Sequence, residues 1–184
     1  PSFVAVQWNK TRPDRISKTA KAFKNIAQVG ASMQTLDADV LSAIKRKNLT
    51  FEQVVQLKKE LSSIGPKEKS FSELIIGLPG ETKESFFKTV AALIASGIDI
   101  ITPYTLMKLN GTKLSDEIND NINSYTLKYR IVPKQFGEYD NNLIFDIEKV
   151  VVSTPTMTFD DYMECRGLSF FLHIVYKNDA FKKV

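Results

Sequence analysis

The chain has 184 residues and 20.8 kDa, with 43% apolar and 25% charged residues, which is average globular usage and enough for one hydrophobic core. Twenty-five Lys and Arg against twenty-one Asp and Glu give a net charge of +4, but the signs are interleaved, so no nucleic-acid surface is expected; even the densest basic spot, Lys45-Arg46-Lys47, lacks a neighbouring aromatic. One cysteine, Cys165, and one histidine, His173, cannot build a disulfide, a zinc finger or a self-contained iron–sulfur cluster.

No apolar run reaches the roughly 20 residues of a membrane span. The start at Pro1 is no natural start and carries no signal-peptide pattern. A cytoplasmic protein, cut from something longer, is the expectation.

Short apolar runs alternating with amphipathic ones predict an α/β protein with strand–helix units feeding a parallel sheet or barrel. Phe3 to Trp8 reads as a strand, Pro13 opens a helix with Ile16, Ala20 and Phe23 on one face, and a second strand follows at about Ile26 to Gln34. Asp37 caps a short helix carrying Val40, Leu41 and Ile44, and Thr50 with Gln53 forms a capping box for another helix running to about Ser63. Phe71 to Gly77 is the clearest strand. Thr82 then caps a helix whose inward residues are Phe86, Phe87, Val90, Ala91 and Ile94, closed by Gly97. Asp99 to Met107 is the next strand. Beyond a boundary near residue 127, Tyr129 to Pro133 and Leu143 to Ser153 read as short, isolated extended segments. A helix started by Thr158, Asp160 and Asp161 runs through Tyr162, Cys165, Leu168, Phe171, Leu172 and Val175. The expected division is therefore 1–127, a partial barrel, and 128–184, a small α+β extension.

Strand alternation puts Ser32 with Gln34, and Glu73 with Ile75 and Gly77, while Leu74 and Ile76 face the helices. Glu73 thus points at the inner face of the sheet, where a carboxylate needs a cation such as Arg46 or a lysine, or else a polar ligand. The turn Leu78-Pro79-Gly80-Glu81-Thr82 follows a buried strand and opens a helix, but it lacks the Gly-Lys-Ser/Thr of a phosphate loop. Asp140 to Asp146 lacks the glycine of a calcium loop. The three Asn-x-Thr triplets count as coincidences, and Cys165 and His173 read as packing residues on an apolar helix.

Three separated segments carry a resemblance: Ser32-Met33-Gln34-Thr35-Leu36-Asp37 with Val40-Leu41 and Ile44-Lys45-Arg46; Glu73 through Thr82; and Tyr104 to Leu109 with Gly111-Thr112. With the closing Tyr162-Met163-Glu164-Cys165-Arg166-Gly167, they resemble radical S-adenosylmethionine enzymes, in the subclass that has an N-terminal cobalamin-binding domain. The resemblance implies a partial TIM-like barrel, of which this chain would hold the third to sixth strand–helix units. It implies that Gln34 and Glu73 hydrogen-bond the ribose hydroxyls of S-adenosylmethionine, that Arg46 pairs with its methionine carboxylate, and that Ile75 and Gly77 form the adenine side. The usual glutamate of that adenine-side motif would fall at Gly80, so no role passes to Glu81.

The three-cysteine loop that ligates the family's 4Fe-4S cluster is absent, as are the first two strands and the segment that binds the methionine amine. The resemblance therefore implies S-adenosylmethionine and a 4Fe-4S cluster in an intact parent, with cobalamin open, and none of them bound by this chain. It assigns no catalytic or metal-ligating residue here. The parent would carry out methyl transfer or radical chemistry on an unknown small-molecule substrate. This piece would be inactive alone, partnered by the missing N-terminal half of its own polypeptide, and prone to self-associate through an open strand edge. The alternative reading is a non-catalytic half-barrel module that binds a nucleotide-like ligand or a protein partner.

Overall fold

A computed structural model describes residues 12–23, 32–62, 70–121 and 124–178. The expected strand at 3–8 and most of the one at 26–34 lie outside the described residues. The elements are α1 (Pro13–Ala22), α2 (Ala38–Ala43), α3 (Phe51–Ser62), β1 (Phe71–Ile76), α4 (Lys83–Ala95), β2 (Ile100–Thr105), α5 (Lys113–Asp120), β3 (Thr126–Tyr139), β4 (Asn142–Ser153) and α6 (Phe159–Phe171).

The helix starts follow the sequence. Asp37 accepts from the amides of Asp39 and Val40. Thr50 and Gln53 bond reciprocally at 2.9 and 3.3 Å. Thr82 with Ser85, and Thr158 with Asp161, are capping boxes. Gly97, at φ +74°, ends α4 in the left-handed conformation that a side chain disfavours.

β1 and β2 are parallel, joined through α4, with Glu73 opposite Thr102 and Ile75 opposite Tyr104. Gln34 adds an isolated parallel bridge on the other edge of β1, beside Leu74. Leu74 and Ile76 are fully buried against the helices, as the alternation requires. Among the described residues the sheets are a parallel pair and an antiparallel pair, and no closed barrel forms.

Several expectations are corrected. The buried face of α4 is Phe86, Thr89, Val90 and Leu93, while Phe87, Ala91 and Ile94 are exposed. The stripe includes a threonine because its hydroxyl accepts from the Leu36 amide at 3.3 Å. On α1, Ile16 is buried and Phe23 is exposed. The extended segments after 127 are neither short nor isolated: β3 and β4 form one long hairpin turned at Asp140 and Asn141, both with positive φ. α5 has no counterpart in the sequence reading. The last helix gives way at Leu172–Tyr176 to a wider π turn, and Phe171 and His173 are exposed, so neither is a packing residue.

The core runs across residue 127. Leu74, Ile76, Phe86, Val90 and Leu93 share one cluster with Val150, Val152, Met157, Tyr162, Cys165 and Leu172. Val151, alternating to the opposite side, joins Val40, Leu78, Leu106 and Ile118 in a second. The root of β4 is bonded to the extension of β2, Val151 N to Leu106 O and Lys108 N to Lys149 O, both 2.9 Å. Lys83 at the start of α4 pairs with Asp161 and Glu164 of α6 at 3.0 and 3.1 Å.

α6 also covers the outer edge of β2. The Ser169 hydroxyl reaches Pro103 O at 3.4 Å, and the Tyr162 and Thr105 hydroxyls are 3.1 Å apart. Pro103 has no amide to offer there, which suits an edge position. α6 thus contacts the outer edge of β2 at the Pro103 carbonyl.

Candidate functional site

Gln34 lies on the open edge of β1, bridged to Leu74. Its backbone sits in the left-handed region at φ +60°, where a non-glycine residue is uncommon. The conformation is held on both sides, since Gln34 N donates to Glu73 O at 2.8 Å and Ile75 N donates to Gln34 O at 3.0 Å. Gln34 is 6% exposed, and its side-chain oxygen is buried with no hydrogen-bond partner among the described residues. A buried acceptor left unpaired costs about 1–3 kcal/mol, so this atom is poised for a donor.

Glu73 is half-buried beside it. The Ser32 hydroxyl donates to one of its carboxylate oxygens at 2.5 Å. Tyr104, two residues past the partner of Glu73 and directly opposite Ile75, stands on the same face. Burial raises the Tyr104 phenol above its ordinary pKa, and the adjacent Glu73 carboxylate raises it further. Among the described residues Glu73 makes no ion pair with Arg46 or with a lysine. Arg46 is exposed on the turn after α2. That turn is anchored to the Gln34 segment by Asn48, whose amide nitrogen donates to Met33 O and, at 3.1 Å, to Thr35 O.

The structure thus brings Gln34, Glu73 and Ile75 into direct backbone contact and leaves Arg46 on an adjoining, tethered loop. Gly77 closes the strand at φ +88°. A Cβ added there would meet Val151 O, Leu106 and Thr154 at 3.9–4.0 Å, which is ordinary contact. The backbone conformation, not a lack of space, is what requires glycine.

Glu81, passed over in the sequence reading, is the most buried charged residue described, at 0% exposure. One carboxyl oxygen accepts from Gly77 N at 3.0 Å, while the other is buried without a hydrogen-bond partner among the described residues. Burial pushes its pKa up to about 8, against the pull of the Gly77 and Leu78 amides and the Thr35 hydroxyl. At neutral pH it is mostly a protonated brace under the turn. Thr156 secures it from the far side, donating to Glu81 O at 2.7 Å. No spacing rule exposes this role, because it depends on the turn folding Glu81 back under Gly77. Tyr104 and Asn48 were missed for a related reason: strand register and loop return decide their neighbours.

The chain's residues do not fit a cluster. Cys165 is its one cysteine, fully buried, and its thiol is pushed up to about 12 by burial first and then by the nearby Glu81, Asp161 and Glu164 carboxylates. A ligand thiolate needs the opposite environment. Among the described residues no group of three His, Cys, Asp or Glu could hold a metal ion, and no helix is long and apolar enough to cross a membrane.

No family model matches the chain. It is 28% identical over 176 residues to 2-(S-pantetheinyl)-carbapenam-3-carboxylate methyltransferase of Streptantibioticus cattleyicolor, covering 91% of this chain and 25% of that protein. It is 31% identical over 173 residues to the cobalamin-dependent radical SAM methyltransferase TokK of Streptomyces tokunonensis, covering 89% and 24%. The chain therefore spans about a quarter of the length of the curated relatives it matches. Its fold matches the solved radical S-adenosylmethionine methyltransferase TsrM of Kitasatospora setae, with tryptophan substrate and a SAM analogue bound. The TM-score is 0.60 at 15% identity, over 92% of this chain and 35% of that one. A second structure of TsrM, with cobalamin and a [4Fe-4S] cluster bound, gives a TM-score of 0.54 at 16% identity, over 89% and 36%. Sequence and fold agree, and the chain belongs to the radical S-adenosylmethionine superfamily, beside its cobalamin-dependent methyltransferases.

Proposed function

We propose that this chain is the S-adenosylmethionine-holding part of a longer cobalamin-dependent radical S-adenosylmethionine methyltransferase. It would supply the third to sixth strand–helix units of a partial barrel and be inactive by itself. The single observation that carries the reading is the side-chain oxygen of Gln34, buried and unpartnered among the described residues, on a residue whose backbone bonds to both Glu73 and Ile75 of β1. A ribose diol brings two hydroxyl donors, and these two acceptors suit it.

In this reading Ile75 lies under the adenine, and Gly77 with the Glu81 brace holds the turn beyond it. Arg46, exposed and without an ion pair among the described residues, takes the methionine carboxylate bidentately. Asn48 acts as a positioning residue for the Arg46 turn. The cluster, whose chemistry is the reductive activation of S-adenosylmethionine, would be ligated by residues outside this chain, as would cobalamin. The relatives' names support methyl transfer as the reaction class.

The test is equilibrium binding of S-adenosylmethionine to the polypeptide purified anaerobically from its source, compared with Gln34→Leu and Glu73→Gln variants. Each substitution removes an acceptor for a ligand hydroxyl, and affinity should fall about fivefold to a hundredfold. Unchanged affinity in both variants would overturn the site. Immunoprecipitation and intact-mass measurement give a separate check on the length: a product above roughly 40 kDa is expected, and one near 20.8 kDa would overturn the larger-enzyme reading.

A further inference from the structure

The β3–β4 hairpin leaves the body of the protein with one apolar face uncovered. Residues paired across an antiparallel ladder share a face. The register pairs Tyr129 with Lys149, Ile131 with Ile147, Phe136 with Phe145 and Glu138 with Leu143. Tyr129, Ile131, Phe136, Leu143, Phe145 and Ile147 therefore form one stripe, and each is between 46% and 67% exposed. The Phe136 and Phe145 rings meet across it at 6.3 Å. The opposite face carries Lys128, Arg130 and Glu148, with the last two ion-paired, and toward the tip the exposed Ile144 and Tyr139, so the polar groups gather on that face near the body while the stripe is the longer apolar surface. A patch of this kind marks an interaction surface, and a two-stranded sheet with no second layer is marginal in water.

We infer that this face is a two-fold interface between two copies of this chain. Its charges are placed for self-pairing. Lys149 lies at the end nearer the body, with its ammonium 4.9 Å from the Tyr129 ring centroid, and Glu138 lies at the tip end of the same face, opposite Leu143. The midpoint between those ends falls between Phe145 and Ile147. A two-fold axis through it reverses the second hairpin and sets Lys149 of each copy over Glu138 of the other. Two hairpins stacked this way make a small aligned sandwich. Six half-exposed side chains at roughly 100 Å² each bury on the order of 1,200 Å² in total, the lower edge of a stable interface. A dimer in concentration-dependent exchange with monomer follows. Cys165 is buried, so a surface disulfide does not compete as the link.

Sedimentation velocity over a wide concentration range, on this chain and on the polypeptide purified from its source, tests the inference. Concentration-dependent dimer is expected in both. Lys149→Glu or Glu138→Lys alone should weaken association about tenfold, and the double exchange should restore it. Phe136→Asp should abolish it. Circular dichroism confirms that each variant is folded; the charge variants, at exposed or half-exposed ends of the ladder, stand in for Phe136→Asp if that one unfolds. Monomer at every concentration would overturn the inference, as would a folded double exchange that fails to restore pairing. Dimer in this chain but monomer in the source polypeptide would also overturn it, because a segment of the same polypeptide would then be the cover.

Discussion

Replacing Glu81 by Gln separates the brace from its charge. The native carboxyl titrates at about 8 instead of 4.5, and at about 1.4 kcal/mol per pH unit the charged form costs on the order of 4 to 5 kcal/mol in place. Between pH 4.5 and about 8 the native protein keeps a proton that the unfolded chain has released. The contribution to stability is therefore complete below 4.5, declines as pH rises through that window, and is gone once the native carboxyl ionises above about 8. Glu81→Gln is neutral throughout and keeps an oxygen for the Gly77 amide, so its stability lacks this decline. Urea unfolding of both proteins at several pH values from about 5 to about 9 measures the difference directly, since every other titrating group is common to the two. The curves should lie close at low pH, with the variant ahead by several kcal/mol at the alkaline end. That is a large share of the 5–15 kcal/mol typical of a domain. Two curves parallel across the whole range would refute the burial argument, because the carboxyl would then be reaching water or a cation.

Gly77→Ala should cost about 1–2 kcal/mol, the price of a left-handed backbone, with no steric addition because the new methyl meets its neighbours at 3.9–4.0 Å; denaturant unfolding at one pH reads it. Asn48→Asp should be worse than Asn48→Ala, because a carboxylate cannot donate to the Met33 and Thr35 carbonyls and adds repulsion. About 1–2 kcal/mol for the alanine variant and more for the aspartate is the expected order, and the reverse order would show that the two bonds do not hold the turn.

The parts legible in the sequence are those governed by short-range rules. The Asp37, Thr50, Thr82 and Thr158 caps, the Gly97 stop, and the two faces of β1 follow from spacing alone, and each is where the residues indicate. α5 carries a Thr112 cap and an inward Leu114–Ile118 pair, signals outweighed in the sequence by the polar run that follows at 119–123. The hairpin was misread because its ladder shifts register between Ile131 and Phe136, which breaks the alternation, and because its turn is Asp140-Asn141 without a glycine. α4 was assigned the wrong stripe by following aromatic residues, although Thr89 had a polar partner waiting in Leu36. At the candidate site, Gln34, Glu73 and Ile75 could be grouped in advance. The neighbours supplied by chain return, Asn48, Tyr104 and Glu81, could not.

The helix that packs against β2 sets a schedule for making the protein. About 55 residues separate Thr105 from the first turn of α6, and at a synthesis rate of about 5–20 residues per second the ribosome needs some 3 to 11 s to deliver them. Throughout that interval the Ile101–Thr105 edge has neither Ser169 nor Tyr162 against it, and the Leu74 and Ile76 layer lacks Cys165 and Leu172. The nascent sheet is thus sticky for seconds before its own chain can close it, and a ribosome stalled between residues 106 and 158 would hold a segment well suited to capture by chaperones or by another unfinished chain.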